Sequence, residues 1–166
     1  MSLAKYIKAR IHVDSYLDTT VSTPAWRPTP FWNGKPMATF KPMCTDHCRL
    51  LYYFDIGSKR FIMKIDQWPD FLQCDHELEL WKRLETSDKR FFVPVMCGDP
   101  DPRDQGPPWV VCPLIPGLST KEPRPADYDK IDELEEKYNL DDIRLNTNWF
   151  IYNRRPLIVD YGLPRR

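Results

Sequence analysis

The chain has 166 residues, with 24 basic and 24 acidic side chains that cancel and 42% hydrophobic residues. That length suits one domain able to bury a core, and the charge balance leaves no global field to gather nucleic acid or an anionic membrane. Its 17 prolines beside a 13% aromatic content point to a loop-rich fold with large apolar anchors, not a disordered chain.

The opening MSLAKYIKARIHV holds no apolar run of signal-peptide type, and no window approaches the ~18 apolar residues of a membrane span, so a cytoplasmic protein is expected. The five cysteines are odd in number and lack a secretory context, which favours reduced thiols over a disulfide framework. Cys44, His47 and Cys48, with Cys74 and His76 as a second pair, meet the spacing of a zinc site only loosely. Buried free cysteine is the preferred reading.

Ala4 to Leu17 reads as a short helix. Thr19 to Pro36 carries Pro24, Pro28, Pro30 and Pro36 among Trp26, Phe31 and Trp32, which excludes a regular helix and implies an extended segment pinned by aromatics. Residues 1–48 are therefore read as a Pro- and aromatic-rich extension packed on a domain spanning 49–166. Within that domain, Leu50 to Ile56 and Arg60 to Ile65 form a hairpin about Gly57-Ser58-Lys59. A helix follows from Pro69 to about Thr86, with Leu72, Leu80, Trp81 and Leu84 on its apolar face beside Cys74 and Leu78.

The runs FFVPVMCG and WVVCPLIPG read as two more strands separated by a turn-rich loop. Tyr128, Ile131, Leu134 and Tyr138 recur at three or four residues and predict an amphipathic helix of roughly three turns. A last hairpin joins Trp149–Tyr152 to Leu157–Val159 through Asn153 to Pro156. The fold class is α+β, in the order strand, strand, helix, strand, strand, helix, strand, strand.

Four features in this order resemble the protein-kinase-like fold. Lys64 ends the strand FIMK, where the family places a phosphate-facing lysine. Glu77 precedes Leu80, Trp81 and Leu84 at i+3, i+4 and i+7, as the helix-C glutamate that pairs with that lysine does. WVVCPLIPGLS is similar to the segment linking the two lobes, which implies that the backbone of Cys112 to Leu114 faces an adenine. Asn148 before WFI and Asp160-Tyr161-Gly162 after the hairpin are similar to the family's metal-binding Asn and its D-F-G. The resemblance covers Leu50 to Arg166 and implies an antiparallel N-lobe sheet with helix C, joined to a minimal C-lobe of one helix and a catalytic-loop hairpin.

It implies ATP and Mg²⁺ as cofactors, with Lys64, Glu77, Cys112 and Leu114 at the nucleotide and Asn148 and Asp160 on the metal. Asp142 is the provisional catalytic base. The residue five before Asn148 is Ile143, while taking Asn146 as the matching Asn would make Asp141 the base, and both registers stay open. The sequence departs from the family at Pro113, which lacks an N–H, and in ATFKPMCTDHCR, which has no phosphate-covering glycines. Only Leu163 to Arg166 follow the D-Y-G, so apolar surface on the hairpin awaits cover from the N-terminal aromatics, a protein partner or further chain. Three functions follow for test: a phosphotransferase acting on a Ser/Thr or other hydroxyl, a pseudokinase-like module binding a partner protein, or an unrelated α+β protein.

Overall fold

The computed structural model describes residues 1–40, 49–69, 72–99, 106–118, 122–141, 143–145 and 147–161. Its centre is a five-stranded sheet in the order β4-β5-β6-β8-β7, built from β4 (Ala38–Thr39), β5 (Arg49–Ile56), β6 (Lys59–Asp66), β7 (Cys97–Asp99) and β8 (Trp109–Pro113). All neighbours are antiparallel. A two-residue turn at Gly57-Ser58, with Gly57 at φ 60°, closes β5 onto β6. It fixes the register outward from Ile56 and Lys59 until Leu51 lies opposite Lys64 and Arg49 opposite Asp66.

Side chains alternate across a sheet, so this register sorts residues between two cores. Phe61, Met63, Ile65, Trp109 and Val111 point to one face, where they pack with Ile7 and Phe54. That face is covered by α1 (Leu3–Lys8) and a second sheet, β1-β2-β3, made of β1 (Ile11–Asp18), β2 (Ala25–Trp32) and β3 (Lys35–Pro36). Trp32 stacks on Phe54 with ring centroids 4.3 Å apart. The carbonyls of Pro28 and Pro30 accept from Tyr52 Oη and the Met37 amide. Those positions of β2 face away from β1, so the missing proline N–H groups cost the β1–β2 ladder nothing.

Val110 and Cys112 point to the opposite face and join α2 (Gln73–Arg83), α3 (Pro125–Tyr138) and the hairpin of β9 (Trp149–Tyr152) and β10 (Arg155–Ile158) in the larger core. α2 lacks a side-chain cap of its own. Instead Asp66, at the end of β6, accepts from the Cys74 amide at 3.1 Å and satisfies a first-turn donor. α3 ends on Asn139 in the left-handed region at φ 53°.

Several expectations need correction. The N-terminal helix stops at Lys8 because Ile11 to Asp18 pairs with β2 along its whole length. α2 begins at Gln73, not Pro69, and Leu72 is exposed rather than on the apolar face. Phe91 to Val95 is a buried strap and not a strand. Phe91 closes a 3-10 turn, Phe92 makes a single bridge to Ile158, and only Cys97–Asp99 pairs with β8. Pro94 accounts for the interruption, since it has no N–H for a ladder. The last turn is tighter than four residues, for Asn153 and Arg154 alone, both at positive φ, connect Tyr152 to Arg155. Trp32 packs on the far face of the sheet from the hairpin and does not cover it.

Candidate functional site

Lys64 and Glu77 meet because two periodicities agree. On β6, Lys64 alternates to the face shared with Val110 and Cys112, and on α2, Glu77 shares the inner face with Cys74, Leu80 and Leu84. Lys64 Nζ lies 2.7 Å from Glu77 Oε1 and donates also to the Val159 carbonyl at 2.8 Å. Glu77 is fully buried.

Arg49 completes the cluster. Its Nη1 donates to Glu77 Oε2 at 2.5 Å and its Nη2 donates to Asp160 Oδ1. Each oxygen of Glu77 thus holds a different cation, and the guanidinium bridges two carboxylates. Two positive and two negative charges balance in a seam where β5, β6, α2 and the end of the hairpin converge. Side-chain exposures of 1% for Arg49, 10% for Lys64 and 0% for Glu77 leave water little part in that balance; Asp160, at 26%, is the member that reaches solvent. Burial works against the Lys64 ammonium, but Glu77 and then Asp160 outweigh it and hold the group above its ordinary range.

The seam is closed around by Cys112 and Tyr161. Burial pushes the Cys112 thiol up to about 12, with Lys64 opposing the shift, so this sulfur is an unreactive wall. Burial likewise raises the Tyr161 phenol, whose hydroxyl donates to the Val93 carbonyl at 2.7 Å. Phe92 packs edge-on against the Tyr161 ring at 5.1 Å. Asp66 stands behind the cluster. Burial pushes its carboxyl up to about 7, against the Cys74 bonds and the Arg49 charge.

The carbonyl of Asn148 accepts from the amides of Val159 at 2.8 Å and Asp160 at 3.3 Å, which brings the two residues named for a metal side by side. Their chemistry does not fit a magnesium ion as arranged. Mg²⁺ wants oxygen donors around a near-octahedral shell, while the Asp160 carboxylate carries a guanidinium. Among the described residues no group of three His, Cys, Asp or Glu could hold a metal.

Asp142, the provisional base, lies outside the described residues, as do the alternative Asn146, the Gly162 of the D-Y-G, and Cys44, His47 and Cys48 of the zinc reading. The Leu114 amide donates to the Arg60 carbonyl at 2.9 Å, so it extends the β6–β8 ladder rather than facing a ligand. Sequence reasoning missed Arg49 and Asp66. The signal was the hairpin register itself, since counting back from Gly57-Ser58 sets both on the Lys64 face.

A concavity of about 360 Å³ opens elsewhere, walled by residues of β2 to β5 that include Trp32, Met37, Tyr53 and Asp55; none of the four charged residues lines it. No family model, curated protein or solved structure matches this chain. No helix among the described residues is long and apolar enough to cross a membrane.

Proposed function

We propose that the chain is a reduced kinase-like domain that binds ATP at the seam between the five-stranded sheet and the C-terminal hairpin. The observation that carries this reading is the Lys64–Glu77 pair at 2.7 Å, in which a fully buried helix carboxylate positions a strand lysine beside Asp160. Buried ion pairs stabilise a fold poorly compared with apolar packing of the same volume, so this one is better accounted for by a ligand's negative charge than by folding. The strand order β4-β5-β6-β8-β7, the helix between β6 and β7, and a hairpin ending at Asp160 supply the surroundings that the resemblance asks for. Lys64 would anchor the phosphates, and Asp142, one residue off the family's register, is the provisional base for in-line transfer to a hydroxyl.

A second reading, a non-catalytic kinase-like module that binds a protein partner, is favoured by Arg49, which ties up the Asp160 carboxylate. Thermal denaturation with and without ATP separates binding from its absence. The wild type gains several degrees at ATP well above Kd, and Lys64→Met loses that gain while remaining folded. No gain in the wild type removes the nucleotide reading. Binding without any phosphoryl transfer to an added hydroxyl substrate selects the non-catalytic module.

A further inference from the structure

Arg49 is the least expected member of the seam. Its place is fixed from three directions: by the backbone register that sets it opposite Asp66, by Glu77 Oε2 on one nitrogen, and by Asp160 Oδ1 on the other. A guanidinium is a planar fork that cannot lose its proton, and it is held here at 1% exposure with Nη1 on one carboxylate and Nη2 on another. A divalent ion reaching Asp160 would either turn that fork off Oδ1, leaving a buried cation with one carboxylate fewer, or settle on the other oxygen beside a fixed positive charge. Without an anionic ligand it would also bring two positive charges to a cluster already balanced at two and two.

We propose that Arg49 is the built-in counter-cation of this site. It neutralises Asp160 where a divalent metal would otherwise do so, and ligand binding at the seam is independent of divalent metals. A polyphosphate entering beside Lys64 meets the ammonium directly and, behind it, the charge of a guanidinium whose two terminal nitrogens stay on Glu77 and Asp160. The choice of ligand rests on the nucleotide reading above; the exclusion of metal from Asp160 does not.

Two measurements test this. Mn²⁺ is titrated alone and followed by its electron paramagnetic signal. The wild type takes up no ion below about 1 mM, while Arg49→Met and Arg49→Lys each bind at least about tenfold more tightly. The lysine variant keeps the charge, and with it the fold, but is too short and too compact to bridge both carboxylates. Tight Mn²⁺ binding by the wild type that Asp160→Asn abolishes overturns the proposal, as does folded Arg49→Lys binding no better than wild type.

The second measurement is the ATP thermal shift in Mg²⁺ against the same shift in EDTA. Agreement within about 1 °C is the expected result. A shift seen only with Mg²⁺ overturns the role of Arg49 and leaves the nucleotide reading standing. No shift in either buffer removes the nucleotide reading, and the Mn²⁺ titration then decides Arg49 by itself.

Discussion

Glu77 and Asp88 are both acidic residues that gather cations at α2 or just beyond it, yet they sit in opposite circumstances. Asp88 accepts from Lys137 at 2.8 Å and from Tyr138 Oη at 2.8 Å, with Lys130 at 4.0 Å, and all three partners belong to α3. The Asp88 side chain is itself only 6% exposed, but those lysines keep 35% and 23% of their side-chain surface, so water reaches the charge through them. Burial pushes the Asp88 carboxyl up, but the bonds from Lys137 and Tyr138 outweigh it and hold it below its ordinary range. This is a clasp between two elements at the rim of a core. Glu77 instead joins three elements, α2, β5 and β6, has no exposure, and holds cations that have almost none. A fold that needed only a clasp would gain more from an apolar seam there. Charge kept at such a cost supports the ligand-binding role proposed for this seam.

The sharpest way to break this contrast is to neutralise both acids. Glu77→Gln leaves Lys64 and Arg49 in a dry seam with one carboxylate between them, and should lower unfolding stability by about 3–5 kcal/mol. Asp88→Asn keeps its shape and some of its hydrogen bonds at a hydrated rim and should cost about 1–2 kcal/mol. Urea midpoints at constant m measure both. Equal losses would mean that the seam is no more than a second clasp.

Asp66 sharpens the contrast through pH. With its carboxyl raised to about 7 in the fold, the native state keeps a proton that the unfolded chain releases near its ordinary value. The stability that Asp66 contributes is therefore fully present below about pH 4 and is lost as pH rises from about 4 to 7, against the opposite trend of a paired acid such as Asp88. Asp66→Asn removes this decline while still offering an oxygen to the Cys74 amide. The variant should gain on the wild type by roughly 2–4 kcal/mol between pH 4 and 8. A constant difference across that range would show that Asp66 titrates in the fold as it does in the unfolded chain.

The legible parts of this molecule were those where one local rule governs. The β5–β6 hairpin followed from alternation around a glycine turn, and α3 from apolar residues at helical spacing. Lys64 and Glu77 are named by the kinase-like resemblance, and strand and helix spacing adds only that each falls on a definite face. Arg49 is not named, because a charged residue opening a strand reads as surface until the sheet is closed and a helix laid over it. Leu72 failed in the opposite way: its spacing fits the apolar face, but the helix starts one residue later and leaves it outside. In the N-terminal part, attention to the prolines hid Asn33-Gly34, which makes the β2–β3 turn with both residues at positive φ. That pair is among the strongest hairpin signals a sequence offers. Pro28 and Pro30 read as helix breakers in the sequence, while in the fold their alternation marks one face of a strand.

The smallest test concerns the hairpin that carries Asp160 to the seam. Its turn uses Asn153 at φ 50° and Arg154 at φ 63°. Asn tolerates that region, whereas Arg pays for its Cβ there. The backbone carbonyl of Arg154 accepts from Arg124 at 2.9 Å, a bond that any residue can make. Arg154→Gly should therefore stabilise the protein by about 0.5–1 kcal/mol, since Asn-Gly is the favoured pair for a two-residue turn of this kind. If the seam is set by its own charges, the gain should be the same within about 0.5 kcal/mol in the wild type and in Glu77→Gln. A larger coupling would mean that the hairpin shifts when Glu77 loses its charge. Asp160 would then be held in place by the ion network as much as by the turn that delivers it.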